Sequence, residues 1–382
     1  SRRRHTRYSL QSRGLGDVYK RQTLDPQSDL RPFFVENLVH ALRGFSPQIV
    51  DYRRGKLTDD GGATETFEIN ASATQLVLKL SWDRGSRLDF RVTRDGTDVT
   101  GAGTTTERDT YRIFAIDLPA TIAGDPLEAA GSWTLDISGA EDTEYHAAAI
   151  VDEPRLGFET SVTADNNRVG DSLTLTARLT IDGQTMTTPA TVSAEIFRPG
   201  ESVGNLLATA DVPAAPGELR FEPGTSPGQR NLALLLQDKK TWRTIAPRSD
   251  NVTLTAGGDG SYKAASAPFA KPGFYKVVFT IEGEHPVVGK FRRTETRGVL
   301  LKFAAADPQL TDLVVQPTNA DATRYSLSVR PKDSFGNFLG PDYVQRIAVR
   351  IGDEPVKAVQ DEGDGRYTTE FEIEPGTNPE VE

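Results

Sequence analysis

Residues 259–291 read DGSYKAASAPFAKPGFYKVVFTIEGEHPVVGKF, and their reading decides the fold. Asp259-Gly260 supplies the positive φ that a tight hairpin needs, and the aromatic Tyr262 two residues on seats a strand in a core. After Pro272-Gly273 another strand begins, with Tyr275, Val277 and Phe279 at alternate positions, the period of a half-buried β-strand. The pattern recurs. Gly258-Asp259-Gly260-Ser261-Tyr262 is echoed by Gly363-Asp364-Gly365-Arg366-Tyr367, and each is followed about a dozen residues later by Pro-Gly, at Pro272-Gly273 and Pro375-Gly376. Two stretches of the chain therefore share one plan.

Working outward, the period of two begins near Glu65 and turn residues recur throughout, as expected of antiparallel all-β modules. Phe67 and Ile69, then Leu76, Leu78 and Leu80, then Leu88, Phe90 and Val92 define the first strands, followed by Tyr111, Ile113 and Ala115 and by Trp133, Leu135 and Ile137. A second series runs through Phe158, Val162, Leu173 to Leu179 and Val192 to Ile196, and a third through Leu313, Val315, Tyr325 to Val329 and Ile347 to Ile351. The expected class is all-β, a series of immunoglobulin-like or jelly-roll β-sandwiches with one short N-terminal helix. The expected divisions are a first sandwich over 64–152, an expanded immunoglobulin-like sandwich over 153–306 and a third, truncated one over 307–382. The Pro/Gly-rich stretch Pro213–Gly228 leaves open whether 191–250 is an insertion or a domain boundary. Ahead of the sandwiches, Phe34, Val35, Leu38, Val39 and Leu42 have helical spacing and Gly44 is a stop, so 23–63 reads as the exit helix and linker of an upstream domain.

The 382 residues contain no cysteine, which removes disulfides, thiolate metal sites and a cysteine nucleophile. No apolar stretch approaches the roughly 18–20 residues of a membrane span. Residues 1–22, SRRRHTRYSLQSRGLGDVYKRQ, form a basic block without periodicity. They read either as a basic arm for a polyanion or, since RRRHTRYSL and GDVYKRQ resemble translated sequencing-adapter read-through, as a non-native segment. Seven of the 44 Lys/Arg and one of the 54 Asp/Glu lie there, leaving −16 over residues 23–382. That charge opposes binding to a phosphate backbone or an anionic membrane.

The run quoted at the outset resembles the late strands of filamin-type and bacterial immunoglobulin-like repeats, and Pro331-Lys-Asp333-Ser-Phe-Gly336-Asn337 resembles their D-x-x-G-N turn. Residues 65–152 are similar to the jelly-roll or pre-peptidase-C-terminal-like sandwich that follows von Willebrand factor A domains, and 33–57 sits where the last helix of such an A domain would be. The resemblance implies a bacterial surface or secreted protein; the D-x-S-x-S metal-adhesion motif of the A domain is absent from this sequence.

Motifs that would carry chemistry are weak. His40, His146 and His285 are in no metal-ligand spacing, and no G-x-S-x-G elbow or phosphate-cradling glycine loop occurs. Asp361, Glu362 and Asp364, like Glu141 and Asp142, lie in turns whose simplest reading is solvation. Asp165-Asn166-Asn167 with Asp171, or Asp364 near Glu362, are the two loops with enough oxygen ligands to take calcium, although EF-hand spacing is not met. Trp82 and Trp133 read as strand residues, and Trp242, in Lys239-Lys-Thr-Trp-Arg243, is the candidate for an exposed glycan contact. Asn70 and Asn251 match the glycosylation sequon.

The expectation is a protein that is not an enzyme, with no catalytic, cofactor or resident metal residues. It would be a structural or adhesion module that spaces a ligand-binding von Willebrand factor A head, outside the cell, with protein or glycan partners and no nucleic acid. The alternatives are accessory sandwiches of a secreted hydrolase, peptidase or glycosidase, and glycan-binding modules.

Overall fold

The computed structural model describes residues 47–374 apart from 123, 216–219, 258, 353 and 356–358. The helix expected at 29–44, the basic block 1–22 and His40 lie outside the described residues.

In the first module β1 (Pro47–Lys56), β2 (Gly62–Ile69), β3 (Gln75–Trp82), β4 (Leu88–Arg94), β5 (Thr97–Asp98), β6 (Thr104–Arg108), β7 (Tyr111–Asp117), β8 (Ala120–Ile122), β9 (Asp125–Leu127), β10 (Gly131–Gly139) and β11 (Glu144–Asp152) follow one another. Two antiparallel sheets, β1-β11-β3-β7-β6 and β2-β10-β4-β5, face each other, and β8–β9 is a separate hairpin. Across the strands of the first sheet large and small residues sit side by side, Leu78 pairing with Ala149 and Leu80 with Ala147. Leu76, Leu78, Leu80, Phe67 and Trp133 are all buried between the sheets, and each such side chain contributes about 1.5–3 kcal/mol of burial.

Two expectations are corrected here. Residues 47–56 are not part of a linker behind a helix but the strand β1, paired with β11 from Pro47↔Asp152 to Lys56↔Glu144. A bulge between Ile49 and Asp51 breaks its alternation, so the period of two is lost there although Val50 and Leu57 are buried in the core. The linker's Asp59–Gly62 is the turn into β2, where Gly61 takes φ +74°. In β7 the inward residues are Phe114 and Ile116, opposite Leu78 and Leu76, rather than Tyr111, Ile113 and Ala115. A shift of one residue turns every side chain to the other face.

The second module comprises β12 (Leu156–Thr163), β13 (Thr174–Ile181), β14 (Gln184–Thr185), β15 (Ala190–Arg198), α1 (Val203–Thr209), α2 (Pro227–Leu235), α3 (Lys239–Ile245), β16 (Arg248–Thr253), β17 (Thr255–Ala256), β18 (Ser261–Ala265), β19 (Gly273–His285) and β20 (Gly289–Leu301). Its sheets are β12-β13-β18-β17, with β14 on β13, and β16-β15-β19-β20. Since β15 and β16 are antiparallel neighbours, residues 199–247 are an excursion from one hairpin.

Three short helices lie in that excursion, so the all-β pattern after Glu65 is interrupted. Ser202 Oγ caps α1 by accepting Asn205 N–H at 3.1 Å. Ser226 and Gln229 form a reciprocal capping box around Pro227 at the start of α2, and the Asp238 carboxylate accepts Lys240 N–H to open α3. Helices this short are marginal alone. They hold together by burying Val203, Leu206, Leu207, Leu232, Leu235 and Ile245 against one another.

The third module has β21 (Asp312–Pro317), β22 (Arg324–Arg330), β23 (Arg350–Ile351), β24 (Glu354–Pro355), β25 (Gln360–Asp361) and β26 (Tyr367–Glu372), in a sheet β21-β22-β26-β25 plus the β23–β24 pair. Its order matches β12-β13-β18-β17, and the repeated turn does the same work in both. Asp259 Oδ1 accepts Ser261 N–H and Asp364 Oδ1 accepts Arg366 N–H. The Tyr262 hydroxyl accepts Ala190 N–H at 3.0 Å, as that of Tyr367 accepts Tyr343 N–H at 2.8 Å. The protein is all-β, built of several antiparallel sheets with three short helices among the described residues, none long and apolar enough to cross a membrane.

Candidate functional site at the module junctions

The residues singled out in the sequence do not converge. His146, on β11, is buried and hydrogen bonds the Tyr52 hydroxyl, while His285 at the tip of β19 accepts Val287 N–H. Trp82 is buried and donates to Asp109 O at 3.1 Å; Trp133 is in the core and donates to Ala129 O at 2.9 Å. Trp242 is 39% exposed on α3. Asn70 is buried, while Asn251 is exposed on β16.

At the loops with oxygen ligands, Asp171 Oδ2 accepts Asn166 and Arg168 N–H, and these hydrogen bonds hold its carboxyl below the usual range. Asp364 pairs with Arg366 at 2.8 Å, Glu362 accepts Thr368 Oγ1–H, and Asp142 pairs with Lys56 at 2.8 Å. No three metal-ligating side chains gather among the described residues.

What converges instead are buried polar groups between modules. Only Glu153, Pro154 and Arg155 separate β11 from β12. The hairpin β19–β20 reaches back to the first module, where Ala71 N–H donates to Val288 O at 3.0 Å. Just past this tip Arg293 is 0% exposed, and burial lowers its guanidinium to about 10, against the opposing pull of Glu153. It stays charged at neutral pH. Its Nε donates to Gln48 Oε1 at 2.7 Å, Nη1 to Arg292 O at 2.7 Å and Nη2 to Asn70 Oδ1 at 2.5 Å, with the Glu153 carboxylate 3.7 Å away.

Glu153 is itself buried, and its charge is met by Ser72 Oγ–H at 2.8 Å, Asn70 Nδ2 and the N–H groups of Arg155 and Leu156. At the rim Arg292 bonds Asp51 at 3.0 Å. A buried ion pair of this kind is tolerable only because every donor and acceptor around it is satisfied.

The second junction is made by the helical excursion and the D-x-x-G-N turn. Asp333, 0% exposed, accepts Phe335 N–H, Asn337 N–H and Ala304 N–H, and Asn337 Nδ2 donates to Ala270 O at 2.8 Å. Asn205 Oδ1 on α1 accepts Phe338 N–H at 2.9 Å. On α2 a Cβ at Gly228 would fall 1.8 Å from Gly363 O, so the helix touches the repeated turn of the third module backbone to backbone. Glu201, beside α1, is paired with Lys271; burial pushes its carboxyl up, but hydrogen bonds from Lys271 and Asn205 outweigh that and hold it low.

Sequence reasoning passed over Arg293, Glu153 and Asn205. A signal for Arg293 was present: it lies in phase with Phe291, Val299 and Leu301, the buried face of β20, where a charge is out of place.

No protein-family model and no curated protein sequence matches this chain. Among solved structures, a DUF4785 family protein from Legionella pneumophila is similar at 9% identity with a TM-score of 0.38, covering 88% of this chain and 81% of that one. A lipase of Bacillus licheniformis in its propeptide form is similar at 12% identity and a TM-score of 0.33, covering 67% of this chain and 41% of that one, so the chain spans about two-fifths of the lipase. The MG0-NIE-MG1 region of native alpha-2-macroglobulin from Escherichia coli is similar at 11% identity and a TM-score of 0.20, with 88% and 93% covered.

Proposed function

We propose that the chain is a non-catalytic, rigid spacer that holds a ligand-binding head at a set distance and angle in a bacterial surface or secreted protein. The observation that carries this reading is the fully buried Arg293–Glu153 network between the first two modules. A flexible string of sandwiches has no use for a buried guanidinium whose partners come from two modules. The acidic balance of residues 23–382 fits partners that are proteins or glycans rather than nucleic acid. The similarity of residues 65–152 to the sandwich that follows von Willebrand factor A domains suggests such a domain as the head, although 47–56, expected in its last helix, form strand β1 of the first sandwich.

Absence of native cysteine makes the test direct. Spin labels on Thr105→Cys and Asp321→Cys, exposed in the first and third modules, are expected to give one narrow distance peak by double electron–electron resonance. A distribution as broad as that of a flexible tether overturns the reading.

A further inference from the structure

We propose that residues 29–44 dock as an amphipathic helix on the outer face of the sheet β1-β11-β3-β7-β6, which makes them part of the first sandwich rather than the exit of another domain. This inference is independent of the spacer reading. The two sheets of the first module differ in what they turn away from the core. On β2-β10-β4-β5 the outward rows Thr66–Thr134–Thr93 and Thr64–Asp136–Arg91 are polar or charged throughout, as on a sheet face left to water. On the other sheet Ile49, Ile150, Val77 and Ala115 stand side by side in one outward row, and Tyr52, Ala148, Lys79 and Ile113 in the next.

Burial on this face is centred on β11. Ala148 and Ile150 are each 2% exposed, although the core lies on the opposite side of the strand, with Ala147, Ala149 and Val151. At the edge strand β6, Thr104 and Thr106 in the same two rows are exposed. The buried part is thus the width of β1, β11 and β3, roughly 10 Å at a strand spacing of about 4.8 Å, which is the diameter of one helix. Arg292 and Arg293 of the second module reach β1 at Asp51 and Gln48, the partners of the core-facing Ala149 and Val151, so their contact is with the inward phase of β1 and not with this face.

Residues 29–44 match this face in chemistry, length and attachment. Phe34, Val35, Leu38, Val39 and Leu42 have the spacing of a single helical stripe. Sixteen residues of helix are about 24 Å long, close to the roughly 30 Å of the nine residues of β11 at about 3.4 Å each. With Gly44 as the stop, only Phe45 and Ser46 separate the stretch from Pro47, which pairs with Asp152 at the Ile150 end of β11. A connection that short is usual between a helix and the strand beside it, and it starts the helix at this sheet. A lone helix of this length is marginal in water, so the apolar rows supply the burial that its stripe requires.

The test uses the full chain with photo-reactive p-benzoylphenylalanine placed at Tyr52 or, in a second variant, at Ile113, both half-buried on this face. The expected result is a cross-link within one molecule, mapped by mass spectrometry to residues 34–42, with hydrogen-exchange protection of the same amides. Leu38→Asp should lower the yield about tenfold, because docking would then bury a charge, while Glu36→Gln, off the stripe, leaves it unchanged. A cross-link to 34–42 from neither position overturns the proposal, as does a yield unaffected by Leu38→Asp or matched by the same label at Thr134 on the polar outer face. Cross-links that join two molecules also overturn it, and would make a second copy the occupant.

Discussion

Replacing Arg293 by methionine keeps the length of the side chain and removes its charge. The perturbation takes the donor from Gln48 Oε1, Asn70 Oδ1 and Arg292 O, and leaves the buried Glu153 carboxylate without its buried counter-charge. At the observed 3.7 Å the attraction lost is about 4 kcal/mol at an effective dielectric of about 20, and removal of one partner from a buried pair costs about 3–5 kcal/mol. We expect a loss of that size between the first two modules, while their separate cores, which do not include Arg293, remain folded.

In a Trp242→Phe background, which removes the third tryptophan on α3, Trp82 and Trp133 lie in the first core and report on it alone, whereas far-ultraviolet circular dichroism reports on all modules. In urea the tryptophan and dichroism transitions of the first two modules should coincide for the parent chain and separate for Arg293→Met. Adding Glu153→Leu should recover only part of the loss. It removes the orphaned charge but leaves the N–H groups of Arg155 and Leu156 without their acceptor. A loss below about 1 kcal/mol, or transitions that still coincide, would refute the idea that this network couples the modules.

Three further outcomes follow from the same geometry. In a free helix Gly228→Ala would gain about 1 kcal/mol of propensity, but the new Cβ would collide with Gly363 O, so a net loss of about 1–3 kcal/mol is expected in thermal unfolding of the third module; Gly101→Ala, with nothing near its Cβ, serves as the neutral control. Tyr367→Phe removes the acceptor of Tyr343 N–H and the donor to Gly340 O in a buried site, and should cost about 1–3 kcal/mol in urea titration. Burial pushes the phenols of Tyr145, Tyr275 and Tyr367 above their ordinary value of 10.0, in Tyr145 with help from Glu65. Their contribution to stability is therefore whole below the unfolded value and is lost as pH rises above it, because the unfolded chain releases those protons first. Absorbance at the phenolate band should show part of the tyrosine titrating only together with unfolding; a single reversible titration near the ordinary value would contradict this.

The strands were legible wherever the period of two ran unbroken, as at Leu76–Leu80 and Trp133–Ile137, since one buried face imposes that alternation. It failed at β1, where the bulge at Ile49/Asp51 scrambles the pattern, and it gave the wrong phase in β7, where both faces carry apolar residues. The helices could have been read from Ser226-Pro-Gly-Gln229, a capping box with proline in its first turn, but the surrounding Pro/Gly content masked it. The junctions were beyond reach for a different reason. Arg293 meets Gln48 across 245 residues and Asn70 across 223, and no local pattern records which distant strand a side chain will meet.

The hairpin β19–β20 belongs to the second module by its hydrogen bonds and to the first by what its tip and Arg293 touch. Genetic shuffling that cut between Asp152 and Leu156 would release one fragment with an unsatisfied guanidinium and another with an empty socket at Asn70 and Gln48. The two modules are thus heritable only as a single cassette, and a gene boundary drawn from sandwich size alone would divide what selection must keep whole.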